Sequence, residues 1–220
     1  VRSTSKTINS EYLDYLVTSS NFSYKNLTER DTEKIAYLKN LDISKKNVVV
    51  YMDLSGSVLS NEELNAILRD YKNLNELNLT GCTKLTSFDF LKGKTNLQQI
   101  CFSNTGIIGD EVSKLDTYAT GLRSFKCNNP NIDLTKMQKT ISRTDIYYGK
   151  AGYTTYCGAG IENYDLKQQL SKCTEITYIT TNSMNGTGIV DLTNCTKLTN
   201  GYFQDGGGTF ILPSSINTIR

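Results

Sequence analysis

Two eight-residue stretches far apart in the chain are near copies of one another. LTGCTKLT at Leu79–Thr86 and LTNCTKLT at Leu192–Thr199 agree at seven of eight positions, and LSKCTEIT at Leu170–Thr177 is a diverged third copy. A chain that repeats itself in this way builds its core by stacking copies of one supersecondary unit, because a single unit cannot bury its own apolar face. A second frame, apolar-x-x-apolar-x-apolar, recurs at Val49/Met52/Leu54, Leu74/Leu77/Leu79, Leu97/Ile100/Phe102, Leu122/Phe125/Cys127 and Ile176/Ile179/Thr181, with a worn copy at Leu198/Gly201/Phe203. The first four copies start 25, 23 and 25 residues apart and the last two 22 apart. The 54 residues from Leu122 to Ile176 leave room for one more unit near Ile146.

The frame has a mechanical meaning. Its last two apolar residues lie two apart, so they share one face of a short strand while their neighbours point to the other. Each unit then contributes one strand to a parallel sheet, and segments such as Asn61–Asp70 carry the chain back as a short helix. The expected fold is α/β, a right-handed solenoid of leucine-rich type with a parallel concave sheet. It occupies residues 46–220 in about six to seven repeats and is irregular around 143–170. Before it, Ser10–Leu16 and Thr28–Leu38 have helical apolar spacing, with capping residues and acids in the first turn. Residues 1–45 are therefore expected to form an N-terminal helical cap that shields the apolar end of the stack.

The segments LNELNLTGCTKL at Leu74–Leu85 and LRSFKCNNPNIDL at Leu122–Leu134 resemble the leucine-rich repeats of bacterial secreted and cell-surface proteins. A helical cap ahead of such repeats is similar to the internalin arrangement, and ILPSSINTI at Ile211–Ile219 resembles BspA-like repeats. The resemblance implies an extracellular or surface-attached binding module with no catalytic residue to carry over. The sequence departs from the pattern in lacking a continuous asparagine ladder, since Ser57, Cys82, Thr105 and Pro130 hold that position.

Composition narrows the function classes. A formal net charge of +2, from 24 basic and 22 acidic residues, gives no footprint for nucleic acid or an anionic membrane. No run approaches the roughly 18 apolar residues that span a bilayer, and the start, Val1–Lys6, carries no apolar leader. The chain has no histidine, which removes the usual base of Ser or Cys catalysis and the commonest zinc ligand. Paired acids such as Glu62/Glu63 and Asp110/Glu111 fall at expected helix starts, where they favour the helix dipole. No enzyme activity, cofactor or metal is expected. The six cysteines show no C-x-x-C pair, and four of them sit at recurring packing positions. All six are expected to be reduced, with Cys101 facing outward.

The function that follows is non-enzymatic binding of a protein or glycan on the concave face, by a monomer. The x positions of the strands supply the candidate site: Tyr51, Asp53, Glu76, Gln99, Arg123, Lys126, Asn128, Tyr148, Tyr178 and Tyr202. Tyrosine and arginine are enriched at the energetic centres of interfaces. An alternative rests on Asp53-x-Ser55-x-Ser57, which resembles the metal-dependent adhesion motif of von Willebrand A domains. Against it, MDLSGS aligns position for position with LNLTGC of the next repeat.

Overall fold

A computed structural model describes residues 20–127, 129, 131–143, 145–149, 169–184, 189–206 and 209–219. Eleven strands are present among them: β1 (Asn21–Ser23), β2 (Tyr51–Asp53), β3 (Glu76–Asn78), β4 (Gln99–Cys101), β5 (Ser124–Lys126), β6 (Asp145–Gly149), β7 (Tyr178–Met184), β8 (Ile189–Asp191), β9 (Asn200–Gly206), β10 (Thr209–Ile211) and β11 (Thr218–Ile219). Nine form one sheet in the order β1-β2-β3-β4-β5-β6-β7-β9-β11, and every neighbouring pair is parallel.

The register follows the apolar frame. Phe22, Met52, Leu77, Ile100, Phe125, Ile146, Ile179 and Gly201 pair in sequence across eight strands. The flanking frame positions Val49, Leu54, Leu74, Leu79, Leu97, Phe102, Leu122, Cys127, Ile176 and Leu198 are buried in the same core. The extra unit expected near Ile146 is β6. Gly201 breaks the column for a steric reason: the Phe203 ring folds over it, so that a Cβ there would lie 2.3 Å from that ring.

The sheet starts one unit earlier than the sequence frame places it. Asn21–Ser23 pairs with Tyr51–Asp53, so the boundary expected at residues 45/46 falls inside the stacked array. The signal was weak because Ser19 stands where the later copies carry their first apolar residue, yet Phe22, Tyr24 and Leu27 all reach the core. Helix α1 (Thr32–Asn40) follows, with Ile35 and Leu38 buried, and then α2 (Ile43–Lys46). The helix expected at Ser10–Leu16 lies outside the described residues.

The chain returns between strands by short helical turns of decreasing regularity. Helix α3 (Asn61–Leu68) is capped by the Ser60 hydroxyl, which accepts from Glu63 N–H at 3.1 Å, and buries Leu64, Ile67 and Leu68. The next returns are 3-10 turns at Asp89–Leu91 and Asp110–Lys114, the second running into α4 (Leu115–Tyr118), and then a turn at Leu134–Lys136 before α5 (Gln138–Arg143). Beyond β7 the return elements are strands: β8 and β10 pair in parallel as a separate sheet.

The first four strands leave through turns built on left-handed backbone. Asn26, Gly56, Gly81 and Asn104, at φ of 57°, 70°, 77° and 55°, occupy equivalent positions in four successive coils. Glycine and asparagine are the residues that adopt this conformation most readily. Space enforces it at Gly56, where a Cβ would lie 2.1 Å from Asn26 Oδ1.

Candidate binding groove along the sheet

The outer face of the sheet carries the alternate residues of each strand, and these fall into two rows of different character. The second row, Asp53, Asn78, Cys101 and Lys126, runs in register across β2 to β5 and is buried, with Lys126 only 2% exposed. The first row, Tyr51, Glu76, Gln99 and Ser124, is half-buried. The sequence expectation placed both rows on an open surface.

Asp53 is committed to local structure. Its carboxylate accepts from Ser55 N–H at 3.0 Å and the Tyr51 hydroxyl at 3.3 Å, and pairs with Lys25 at 3.2 Å. The first contact recurs as Thr80 N–H to Asn78 Oδ1 at 3.1 Å, Thr135 N–H to Asp133 Oδ1 at 3.0 Å and Thr193 N–H to Asp191 Oδ1 at 2.9 Å. Asp53-x-Ser55 is thus one copy of a repeated Asx turn. Ser57 is fully buried and its Oγ accepts from Leu27 N–H at 3.1 Å. Of the three residues of the adhesion-like motif, Asp53 and Ser57 thus use side-chain oxygens in the repeat turn. Among the described residues no group of three or more Cys, Asp or Glu side chains is placed to hold a metal ion.

At the ladder position short polar side chains do the work of asparagine. Cys82 Sγ donates to Leu54 O at 3.2 Å and the Thr105 hydroxyl to Phe102 O at 2.8 Å. In the following coil Asn129 supplies the side chain, its Nδ2 donating to Thr105 Oγ1 at 2.8 Å and to Ile107 O at 3.3 Å. Pro130, expected there, lies outside the described residues.

The cysteines divide. Cys82, Cys127, Cys173 and Cys195 are free and buried, and burial pushes the first three thiols up to about 12 and the last to about 11. Such thiols are poor nucleophiles at neutral pH. Cys101 is disulfide-bonded, which corrects the expectation of six reduced cysteines. Its outward position in β4 sets it apart from the four cysteines that pack in the core. Beside it, burial pushes the Lys126 ammonium down to about 8.

The open feature is a groove of about 680 Å³ along the N-terminal margin of β1 to β5. Tyr51, Glu76 and Arg123 from the sequence-derived site line it, together with Asn21, Val50, Asn73, Asn75, Thr95, Asn96, Gln98 and Gly121. Two asparagines form a staircase along it: Asn73 Nδ2 donates to Asn47 O at 2.8 Å, and Asn96 Nδ2 to Lys72 O at 3.3 Å. Backbone groups beneath are already used. Val50 O accepts from Asn75 and Glu76, Asn75 O from Gln98 and Gln99, and Gln98 O from Arg123 and Ser124. At the fourth step Gly121 lets neighbouring coils approach closely, since a Cβ would lie 2.2 Å from Thr95 O.

The remaining candidates lie elsewhere. Gln99 is half-buried in the row of Glu76 but does not line the groove, and Tyr178 and Tyr202 sit further along the same face on β7 and β9, with Tyr202 38% exposed. Tyr148 belongs to β6, and its side chain, like the whole of Asn128, lies outside the described residues. Asn73 and Asn96 lie outside the sequence-derived site because they stand before the frame, whose x positions alone supplied candidates, whereas Asn75 and Gln98 hold the same x position as Arg123 and were passed over. A signal existed, since Asn73 and Asn96 stand immediately before the first apolar residue of two successive frames.

Parallel register, apolar frame and left-handed turn column together define a leucine-rich-repeat solenoid. Solved structures similar to it include two internalins of Listeria monocytogenes. Internalin C2 is 18% identical, with 93% of this chain and 81% of that one covered and a TM-score of 0.42. Internalin F is 14% identical, with 87% and 68% covered and a TM-score of 0.37. No protein-family model matches the chain, and no curated protein matches it significantly. The fold assignment rests on the register of the sheet.

Proposed function

We propose that this chain is a non-enzymatic binding module of a secreted or cell-surface protein, which takes a protein or glycan partner on the concave face of its sheet. The observation that carries the reading is the groove, where Tyr51, Glu76 and Arg123 come together from three different coils on a rigid scaffold. Among the described residues the Glu76 and Arg123 side chains make no hydrogen bond or ion pair. Polar side chains held on rigid elements and left unengaged are what a recognition surface needs. The absence of histidine and the raised thiols support a non-catalytic role. Among the described residues no helix is long and apolar enough to cross a membrane.

Tyr178 and Tyr202 extend the proposed surface along the same face. The test is a screen of immobilised protein against a glycan array and a displayed peptide library, repeated with Glu76→Ala, Arg123→Ala, Tyr202→Ala and, as a control on the return side, Lys136→Ala. Hits that survive in Lys136→Ala and weaken in the sheet-face variants support the reading. Hits lost only in Lys136→Ala, or none from either library, overturn it.

A further inference from the structure

We infer that the groove along β1 to β5 binds a neutral, unbranched oligosaccharide laid across the strands, an inference that rests on the binding-module reading. Three observations select this class.

The first is the chemistry of the lining. Its polar side chains are mostly carboxamides, with one carboxylate, Glu76, and one guanidinium, Arg123, so the formal charges cancel. An anionic or cationic ligand would be met by no net opposite charge. Carboxamide, carboxylate and guanidinium groups each present two adjacent donors or acceptors, the geometry that matches neighbouring hydroxyls on a sugar ring.

The second is the lack of peptide-binding features. A peptide adding to a sheet needs unpaired main-chain groups, whereas Val50 O, Asn75 O and Gln98 O each already accept two N–H groups. A peptide held by its side chains needs an apolar anchor pocket, and Val50 is the one aliphatic residue larger than alanine in the lining. The ring of Tyr51 supplies an apolar platform of the kind a pyranose face stacks on. Its hydroxyl is tied to Asp53 Oδ2 at 3.3 Å, which fixes the ring in place.

The third is periodicity. Equivalent groups recur from coil to coil at the spacing of adjacent strands, about 4.8 Å, as Asn73 and Asn96 on the outer step and Asn75, Gln98 and Arg123 on the inner. A pyranose unit in an extended chain is of similar length, so successive sugars meet successive coils.

The experiment uses the whole chain and two probes: an array of neutral linear hexose and N-acetylhexosamine oligosaccharides of graded length, and a displayed peptide library. Binding to at least one neutral glycan is expected, rising with chain length. Glu76→Ala and Arg123→Ala should each weaken it at least about tenfold, as loss of a hydrogen-bonding partner in a polar site does. Binding should also change little with salt, because no net charge is neutralised. Peptide hits that depend on Glu76 and Arg123, beside a blank glycan array, overturn the inference and leave the binding module standing. Glycan binding untouched by both variants overturns the inference alone. Blank results on both probes overturn both.

Discussion

The Lys94 ammonium donates to the carbonyl oxygen of Leu68 at 2.6 Å, and so closes the C-terminal end of α3 from the next coil. The same nitrogen reaches Arg69 O at 3.1 Å and Tyr71 O at 3.0 Å, so one side chain satisfies three carbonyls at a helix end. Lys94→Met keeps most of the apolar stem and removes all three donors. It should lower stability in urea denaturation by about 1 to 3 kcal/mol, the range for leaving buried acceptors unpaired. An unchanged midpoint would mean that water replaces the ammonium.

Leu77 is the central residue of its frame and 1% exposed. Leu77→Ala is expected to cost about 2 to 5 kcal/mol, as buried leucine truncations do. A loss below about 1 kcal/mol would show that the coils relax into the space.

Glu111 ties two returns together, accepting from Phe88 N–H at 2.8 Å and the Ser87 hydroxyl at 2.9 Å and pairing with Lys114 at 2.7 Å. Partial burial raises its pKa, but Lys114 and these two donors outweigh that and hold the carboxyl below its ordinary value. The folded state therefore binds this proton less readily than the unfolded one. The stabilisation is present above the unfolded pKa of about 4.3, and is lost as pH falls through the lower folded value. Melting temperatures measured from pH 7 downward should converge for wild type and Glu111→Gln in acid. A gap that persists unchanged to pH 2 would assign the effect to packing.

Lys114 belongs to the same cluster, since it also bridges to Asp89 at 2.8 Å. It is therefore a stabilising residue of the return side, and a surface control is better taken at Lys136.

Thiol titration of denatured, unreduced protein should find four free groups, those of Cys82, Cys127, Cys173 and Cys195, and six after reduction. Peptide mapping without reduction should place Cys101 in a cross-linked fragment. Six thiols before reduction would remove the disulfide.

The strands of the array were legible because Leu77, Ile100, Phe125 and Ile179 each stand at the centre of an L-x-x-L-x-L frame, and burial of one face fixes their register. The opening strand was not legible, because Phe22 has no leucine three residues before it. The return elements were only partly so. Asp110–Lys114 reads as a helix start from its acids, yet forms a 3-10 turn entered through Gly109 at a φ of 56°. Of the groove lining, Tyr51, Glu76 and Arg123 were legible as x positions of the frame, whereas Asn73 and Asn96 stand just before it. Alternation shows which way a strand residue points, but not what covers it, which is why Asp53 and Lys126 were expected to be open.

Because each strand of the nine-stranded sheet hydrogen-bonds only to its immediate neighbours, opening any coil breaks at most two interfaces. Amide exchange in such an array is fastest at the outer coils and slowest in the middle. The groove runs from Asn21 on β1 to Arg123 beside β5, so it spans that gradient, with one wall on the outermost coil and its floor on slower-exchanging ones. Fraying of β1 would remove the first step of the groove and leave Glu76 and Arg123 in place. A ligand that reaches all the steps would in turn slow exchange at β1, an edge strand of the described sheet.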